Sequence, residues 1–265
     1  MDIILATVFV VAAITLALLF RRRYRYAEDP DEGISVRDLV GPLETLAVLV
    51  IAFVLVLAAQ SYSGAGSAAS AEAAAIDSLH ATADLLPEPA RERVKADSLC
   101  YARAVIAKEW HSMGAHNAPS PTVDHWTEAL HDDFQEVHDP TVLGMLTNAD
   151  RSRLSERRDR IEQSAPAIPG AVFWFMVLTV IAMVAGYALS LPRRRHRLQL
   201  AGLWVLAGLL VASLYLIWDI DRPFRGLVPI SPSSMRRTEQ EANRDFLKHY
   251  NAAQIPCDRN GLPRA

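Results

Sequence analysis

Four uninterrupted apolar runs, Ile3–Phe20, Leu43–Ala59, Ala171–Leu191 and Leu198–Trp218, constrain this chain more than any other feature, and Glu44 is the only acidic or basic residue inside them. At 1.5 Å of rise per residue, helices of that length cross a hydrocarbon layer about 30 Å thick. Within such a layer every backbone polar group must be paired inside the segment, which the α-helix does. The chain therefore reads as an integral membrane protein, and a soluble enzyme is excluded. With 27 Lys and Arg against 30 Asp and Glu, there is no basic surplus to neutralise phosphates, so nucleic acid is excluded as a partner too.

The flanking charges give a topology. Asp2 precedes the first run, and Arg21, Arg22, Arg23 and Arg25 follow it. That is the reverse of a secretory signal and the polarity of an uncleaved anchor with its N-terminus outside. Residues 21–42 hold five Arg, and the hairpin 192–197 reads Pro-Arg-Arg-Arg-His-Arg. Short Arg-rich loops are retained in the cytoplasm. The expected organisation is a transmembrane hairpin over 1–60, an extracytoplasmic helical lobe over 61–170, a second hairpin over 171–218 and an extracytoplasmic tail over 219–265. Arg151, Arg153, Arg157, Arg158 and Arg160 fall on the outer side in this scheme, interleaved with Glu156, Asp159 and Glu162. Long segments translocate largely regardless of charge.

The segment 61–170 has helical and almost no alternating periodicity. After a soft stretch, Ser61–Ser70, an Ala-rich helix Glu72–Leu86 is expected to stop at Pro87-Glu-Pro89. A second helix is expected over Ala90–Met113, ending at Gly114. A third starts at Ser120-Pro121, a capping residue followed by proline. Its Val123, Trp126, Leu130, Phe134 and Val137 recur at steps of three and four. Asp139-Pro140 closes it, and a fourth helix carries Leu154 and Ile161 towards Pro166. In the tail, Met235, Ala242, Phe246 and Tyr250 make one side of an amphipathic helix apolar, suited to a lid, a subunit contact or the membrane surface. The fold class is all-α: four spans, a helical lobe and a C-terminal amphipathic helix.

Chemistry-bearing residues are sparse. There is no phosphate loop, nucleophile motif or intramembrane carboxylate pair, so no enzyme activity and no cofactor are expected. Asp124, His131 and His138 succeed one another at seven-residue steps, a weak metal-ligand pattern that a solvated polar helix face also produces. Cys100 and Cys257 are the only cysteines, both outside the spans and the Arg-rich loops. They are expected to pair across an oxidising compartment, fastening the tail to the lobe. Glu44 is either a carboxylate stabilised at a helix N-terminus or one member of an acidic ring at a pore mouth. Asp219 and Asp221 stand at a helix C-terminus, where the dipole disfavours them, and Arg222 or Arg225 is the nearest compensating charge.

Glu72-Ala73 with Ile76 and Leu79, then Leu86-Pro87, Arg91, Tyr101, Val105 and Glu109-Trp110, followed by Arg158, Arg160-Ile161, Pro169 and Trp174, form a motif series. It closes with Asp221-Arg222-Pro223-Phe224-x-Gly226 and Pro229. Over residues 43–232 this series resembles a bacterial family of membrane proteins named for a bestrophin-like domain. The resemblance implies a multi-pass protein of the bacterial plasma (inner) membrane, related to bestrophins, which are oligomeric anion channels. It makes Glu72, Glu109, Trp110, Arg158, Arg160, Asp221, Arg222, Phe224 and Arg225, with Glu44, candidates for a vestibule or a subunit interface. With no charge at mid-depth in any span, conduction requires several copies around an axis. Pairs of small residues four apart, Ala13 and Ala17, Ala182 and Gly186, Gly208 and Ala212, allow close helix approach within or between copies. Residues 61–150 carry a net charge of −9, which concentrates cations and makes them as suitable as chloride. An extracytoplasmic scaffold or sensor, or an accessory subunit, is the alternative function.

Overall fold

The structure is a computed structural model that describes residues 2–23, 36–190 and 197–264. Most of the Arg-rich loops that set the expected topology, residues 24–35 and 191–196, lie outside the described residues. The helices are α1 (Asp2–Arg23), α2 (Val36–Thr82), α3 (Ala90–Ala104), α4 (Trp110–His116), α5 (Pro121–Gln135), α6 (Pro140–Glu162), α7 (Gly170–Ser190), α8 (Arg197–Ile220) and α9 (Ser233–His249). No strand occurs among the described residues. The chain divides into two compact units: Met1–Gln60 with Ala167–Asp221, and Ser61–Pro166 with Arg222–Ala265.

The first unit holds the helices long and apolar enough to cross a membrane: α1, the first part of α2, α7 and α8. On α1, Ile3, Ala6, Val10, Ile14 and Ala17 are buried at steps of three and four, packed with Met176, Val180 and Val184 of α7 and Leu203, Ala207 and Leu214 of α8. The opposite faces, with Ile4, Leu16, Leu49, Phe53, Leu178 and Leu209, are exposed and apolar, as hydrocarbon requires. Threonine and serine hydroxyls in these helices turn back on their own backbone. Thr7 donates to the Ile3 carbonyl, Thr15 to Ala12, Thr45 to Gly41, Thr179 to Met176, Ser190 to Gly186 and Ser213 to Leu209.

Two expectations change here. Because α2 begins at Val36 and passes through Pro42, Glu44 lies in its third turn and not at a helix N-terminus. Its Oε2 instead accepts a hydrogen bond of 2.6 Å from the Tyr187 hydroxyl. Asp221 Oδ1 accepts from the backbone amides of Ala167 and Ile168 at 2.9 and 3.0 Å, so it ties the chain entering α7 to the end of α8.

In the second unit the expected soft stretch Ser61–Ser70 is helical, continuous with the span as one 47-residue α2. Ala65, Ala68, Ala69 and Ala73 are buried along it, and alanine is the strongest helix former. The helix starting at Ala90 runs beyond Gly114 to His116, ending where Asn117 adopts φ 52°. Gly114 serves packing: a Cβ there would stand 2.7 Å from the Phe224 carbonyl oxygen. A π turn, Val105–Glu109, separates α3 from α4. Asp139 caps α6, accepting from the Thr141 and Val142 amides at 2.8 and 3.3 Å.

The core of this unit joins Ile76 and Leu79 of α2, Leu99 and Tyr101 of α3, Val123, Trp126, Leu130 and Phe134 of α5, Leu146 of α6, and Met235, Ala242 and Phe246 of α9. The tail is fastened to it as expected. Cys100 and Cys257 form a disulfide with a Cα–Cα distance of 5.7 Å, and Trp126 Nε1 donates to the Gly261 carbonyl at 2.7 Å. Gly261 has φ +72°, and a Cβ there would meet the Ala104 amide nitrogen at 2.3 Å.

Candidate functional site

The outstanding feature of the second unit is a buried ladder of charges. On α6, Leu146, Asp150, Arg153, Arg157 and Arg160 recur at steps of three and four and are buried. The stripe that would normally be aliphatic thus carries three guanidinium groups. Such groups leave water at several kcal/mol each unless they are paired and hydrogen-bonded, and here every one is.

Arg160, 0% exposed, lies between two fully buried carboxylates. Its Nε and Nη2 donate to Glu72 of α2, and Nη2 also donates to Glu109 Oε1 at 2.6 Å. Nη1 reaches Met113 Sδ at 3.0 Å, and the guanidinium lies 5.2 Å from the centre of the Trp110 ring. Arg157 grips Glu109 with Nε and Nη2, at 3.1 and 2.6 Å, and turns Nη2 to Asp124 of α5 at 2.7 Å. Arg153 pairs with Asp150, donates to Thr127, and lies 4.5 Å from the Tyr101 ring centre. The Tyr101 hydroxyl donates to Glu72 at 2.7 Å.

The π turn ends at Glu109, shifting the helical register just where the chain needs a carboxylate turned inward. Burial by itself would raise the Glu109 carboxyl. Arg157 and Arg160, with the Ser120 amide, outweigh it and hold Glu109 below the ordinary glutamate range. Burial, with Glu72 beside it, pushes the Tyr101 phenol well above its usual value. Glu109 is thus a carboxylate at neutral pH, gripped by two guanidinium groups.

A second cluster lies where α2, α3 and α9 meet. Lys95, 1% exposed, donates to Asp245 at 2.7 Å and pairs with Asp84 at 2.5 Å. His80 Nδ1 stands 2.9 Å from Ser98 Oγ, and its Nε2 faces Asp245 at 3.4 Å. Ser98, His80 and Asp245 follow the order of a nucleophile, a base and an orienting acid. Ser98 is fully buried and its hydroxyl donates to the Lys95 carbonyl, so this arrangement holds helices together. Burial and Lys95 lower the His80 value despite the neighbouring Asp245.

Of the candidates taken from the sequence, Glu72, Glu109, Trp110 and Arg160 meet in the ladder, and Phe224 joins them edge-on to Trp110 at 5.3 Å. Trp110 Nε1 also donates to the Ile230 carbonyl at 2.9 Å, beside a cavity of about 400 Å³ lined by Tyr62, Ser70, Ser234 and Met235 among others. Arg158 and Arg225 are exposed and Arg222 is half-buried. Arg160, a candidate for a vestibule or a subunit interface, is fully buried within the ladder of its own chain. The seven-residue face of Asp124, His131 and His138 is not formed, because α5 ends at Gln135. Asp124 pairs with Arg157, His131 with Asp150, and His138 Nδ1 with the Glu136 carbonyl. No group of three metal-ligating side chains occurs among the described residues. Arg153, Arg157 and Asp150 were missed as site residues, although their helical spacing with Arg160 was visible.

Four apolar helices and an ion-paired helical unit define a multi-pass α-helical membrane protein. The family profile of the Bestrophin-like domain matches residues 5–235, and the chain belongs to that family. Similar solved structures include two single-residue variants of a bacterial Bestrophin homolog from Klebsiella pneumoniae, each 12% identical. One has a TM-score of 0.71, covering 94% of this chain and 99% of that one. The other has a TM-score of 0.70, covering 94% and 100%. A structure described as a membrane protein, also 12% identical, covers 95% and 100% with a TM-score of 0.69. These likenesses establish a shared fold. No curated protein matches the sequence.

Proposed function

We propose that the chain is a non-enzymatic subunit of an oligomeric ion channel of bestrophin-like type. The observation that carries this reading is the family match over residues 5–235, together with what bestrophin resemblance implies, an oligomeric channel. The spans favour assembly over a path inside one chain. Threonine and serine hydroxyls in them are engaged with their own backbone, leaving a single bundle little to replace the water an ion sheds. Gly208 and Ala212 are exposed on α8, with nothing near a Cβ built on Gly208, which suits the close approach of a second copy. Gly186, in contrast, faces Val40 of its own chain.

In this reading the second unit and the C-terminal tail face the extracytoplasmic side of a bacterial inner membrane, with both termini outside. A disulfide between the only two cysteines suits an oxidising compartment, and the Arg-rich loops suit the cytoplasm.

A scaffold without transport activity is the second reading, favoured by the internally paired ladder, which has no charged group left over for an ion. Mass measurement in mild detergent is the first test. The channel reading expects an oligomer that Gly208→Leu loosens, and a monomer at every protein concentration would refute it. A stable oligomer that carries no current in bilayers would establish the scaffold.

A further inference from the structure

The second unit presents two exposed helix faces of opposite charge. On α5 the buried stripe runs through Val123, Trp126, Leu130 and Phe134, so at about 100° per residue Glu128 and Asp132 stand on the far side, one turn apart. On α9 the buried stripe is Met235, Thr238, Ala242 and Phe246. The same spacing sends Arg237, Arg244 and Lys248 outward, with Glu241 the acid beside them. All of these outward side chains are exposed. Among the described residues, none of Glu128, Asp132, Arg237 and Arg244 lies within ion-pair distance of an opposite charge. Asp132 accepts a long hydrogen bond of 3.4 Å from Gln135, and Arg244 Nε donates to the Gln240 carbonyl at 3.2 Å.

The two faces look away from each other. Helices α5 and α9 both pack on α3. Arg93 of α3 donates to Asp133 of α5 at 2.9 Å, whereas Lys95 donates to Asp245 of α9 at 2.7 Å. Two residues apart is about 200° around a helix, so α5 and α9 flank α3 on opposite sides. A two-fold contact through either face would set like charge on like charge, and faces on opposite sides cannot both meet at one two-fold seam. A head-to-tail contact sets α5 of one copy against α9 of the next, and repeated contacts of that kind close into a ring.

We propose that the acidic face of α5 and the basic face of α9 are the two halves of a head-to-tail contact between copies of this chain. The proposal rests on the oligomeric reading above and names its seam: Glu128 and Asp132 of one copy meet Arg237, Arg244 and Lys248 of the next. The faces match in pitch. Glu128 and Asp132 are four residues apart, as are Arg244 and Lys248, so two pairs form at once whichever way the helices run. Charges this exposed select the neighbour and its orientation more than they add affinity, and salt weakens them.

Cross-linking and charge reversal on the full-length protein in mild detergent test the contact. Cys100 and Cys257 are bonded to each other, so in Asp132→Cys with Arg237→Cys only the new thiols react. A short bis-maleimide should join copies of this double variant into a ladder of multimers on a denaturing gel, while either single variant runs as a monomer. Glu128→Arg with Asp132→Arg should raise the subunit dissociation constant about tenfold, as should Arg237→Glu with Arg244→Glu. The chain carrying all four reversals should return close to the parent value, which a merely disturbed fold would not do. Equal ladders from a single and the double cysteine variant, parent-like dissociation constants for both reversed pairs, or no recovery in the fourfold chain would overturn the contact while leaving the oligomer standing. A loss on Arg237→Glu with Arg244→Glu that appears only with anionic lipid would overturn it too, assigning the α9 face to headgroups. A parent that is monomeric at every concentration would refute the oligomeric reading itself, and this contact with it.

Discussion

Replacing Arg160 with Met keeps the length and volume of the side chain roughly constant while removing its charge. Two carboxylates lose a partner, but unequally. Glu109 keeps the two-pronged contact with Arg157 and the Ser120 amide at 3.2 Å. Glu72 keeps only the Tyr101 hydroxyl. The structure therefore expects one uncompensated buried charge, worth about 3–5 kcal/mol, or roughly 10² to 10⁴ in the local opening equilibrium. Most of this should return in the double variant Arg160→Met with Glu72→Gln, because the amide removes the stranded charge. Hydrogen exchange of peptides spanning α6 and the Glu72 region of α2, in full-length protein in detergent, reads the opening directly without assuming that both units unfold together. A loss below about 1 kcal/mol for Arg160→Met, or no recovery in the double variant, would refute the stranded-charge argument.

Arg157→Met should cost less, about 2 kcal/mol in the same assay, because Glu109 keeps Arg160 and Asp124 is half in solvent. Cys100→Ser should destabilise the tail by about 2–5 kcal/mol, and alkylation of the unreduced, denatured parent should find no free thiol. Gly261→Ala should release residues 255–264 to proteolysis, since the left-handed backbone and the Ala104 contact together cost more than about 2 kcal/mol. His80, held below its ordinary value by burial and Lys95, stabilises its cluster fully above about 6.5. That contribution is lost as pH falls through the lower folded value. Between pH 7 and 5 the parent should lose stability relative to His80→Gln, and equal profiles would contradict this.

Much of the fold was legible because a bilayer leaves few options. A run such as Ile3–Phe20 has no other way to satisfy its backbone, and the Val123 to Phe134 stripe fixes which face of α5 is buried. The tail's attachment was legible for a related reason, two cysteines confined to the segments outside the spans. The continuity of α2 was not, because Ser61, Gly64 and Gly66 read locally as a break while their alanine neighbours pack in tertiary contacts. Glu72, Glu109, Trp110 and Arg160 were identified through motif resemblance. Their role was hidden because an arginine at a core position looks like a surface residue until its acids arrive from three other elements, α2, the π turn and α5. The register shift at Val105–Glu109 leaves no local signature, and without it the inward turn of Glu109 could not be read. His138 was misplaced because α5 ends at Gln135, three residues before the helical face would have included it.

Reconstitution of the purified oligomer into planar bilayers, with different salts on the two sides, tests the channel reading most directly. The account predicts discrete current steps whose reversal potential identifies the permeant ion and whose appearance is lost when Gly208→Leu disperses the assembly. Silent bilayers containing an intact, correctly sized oligomer would contradict it.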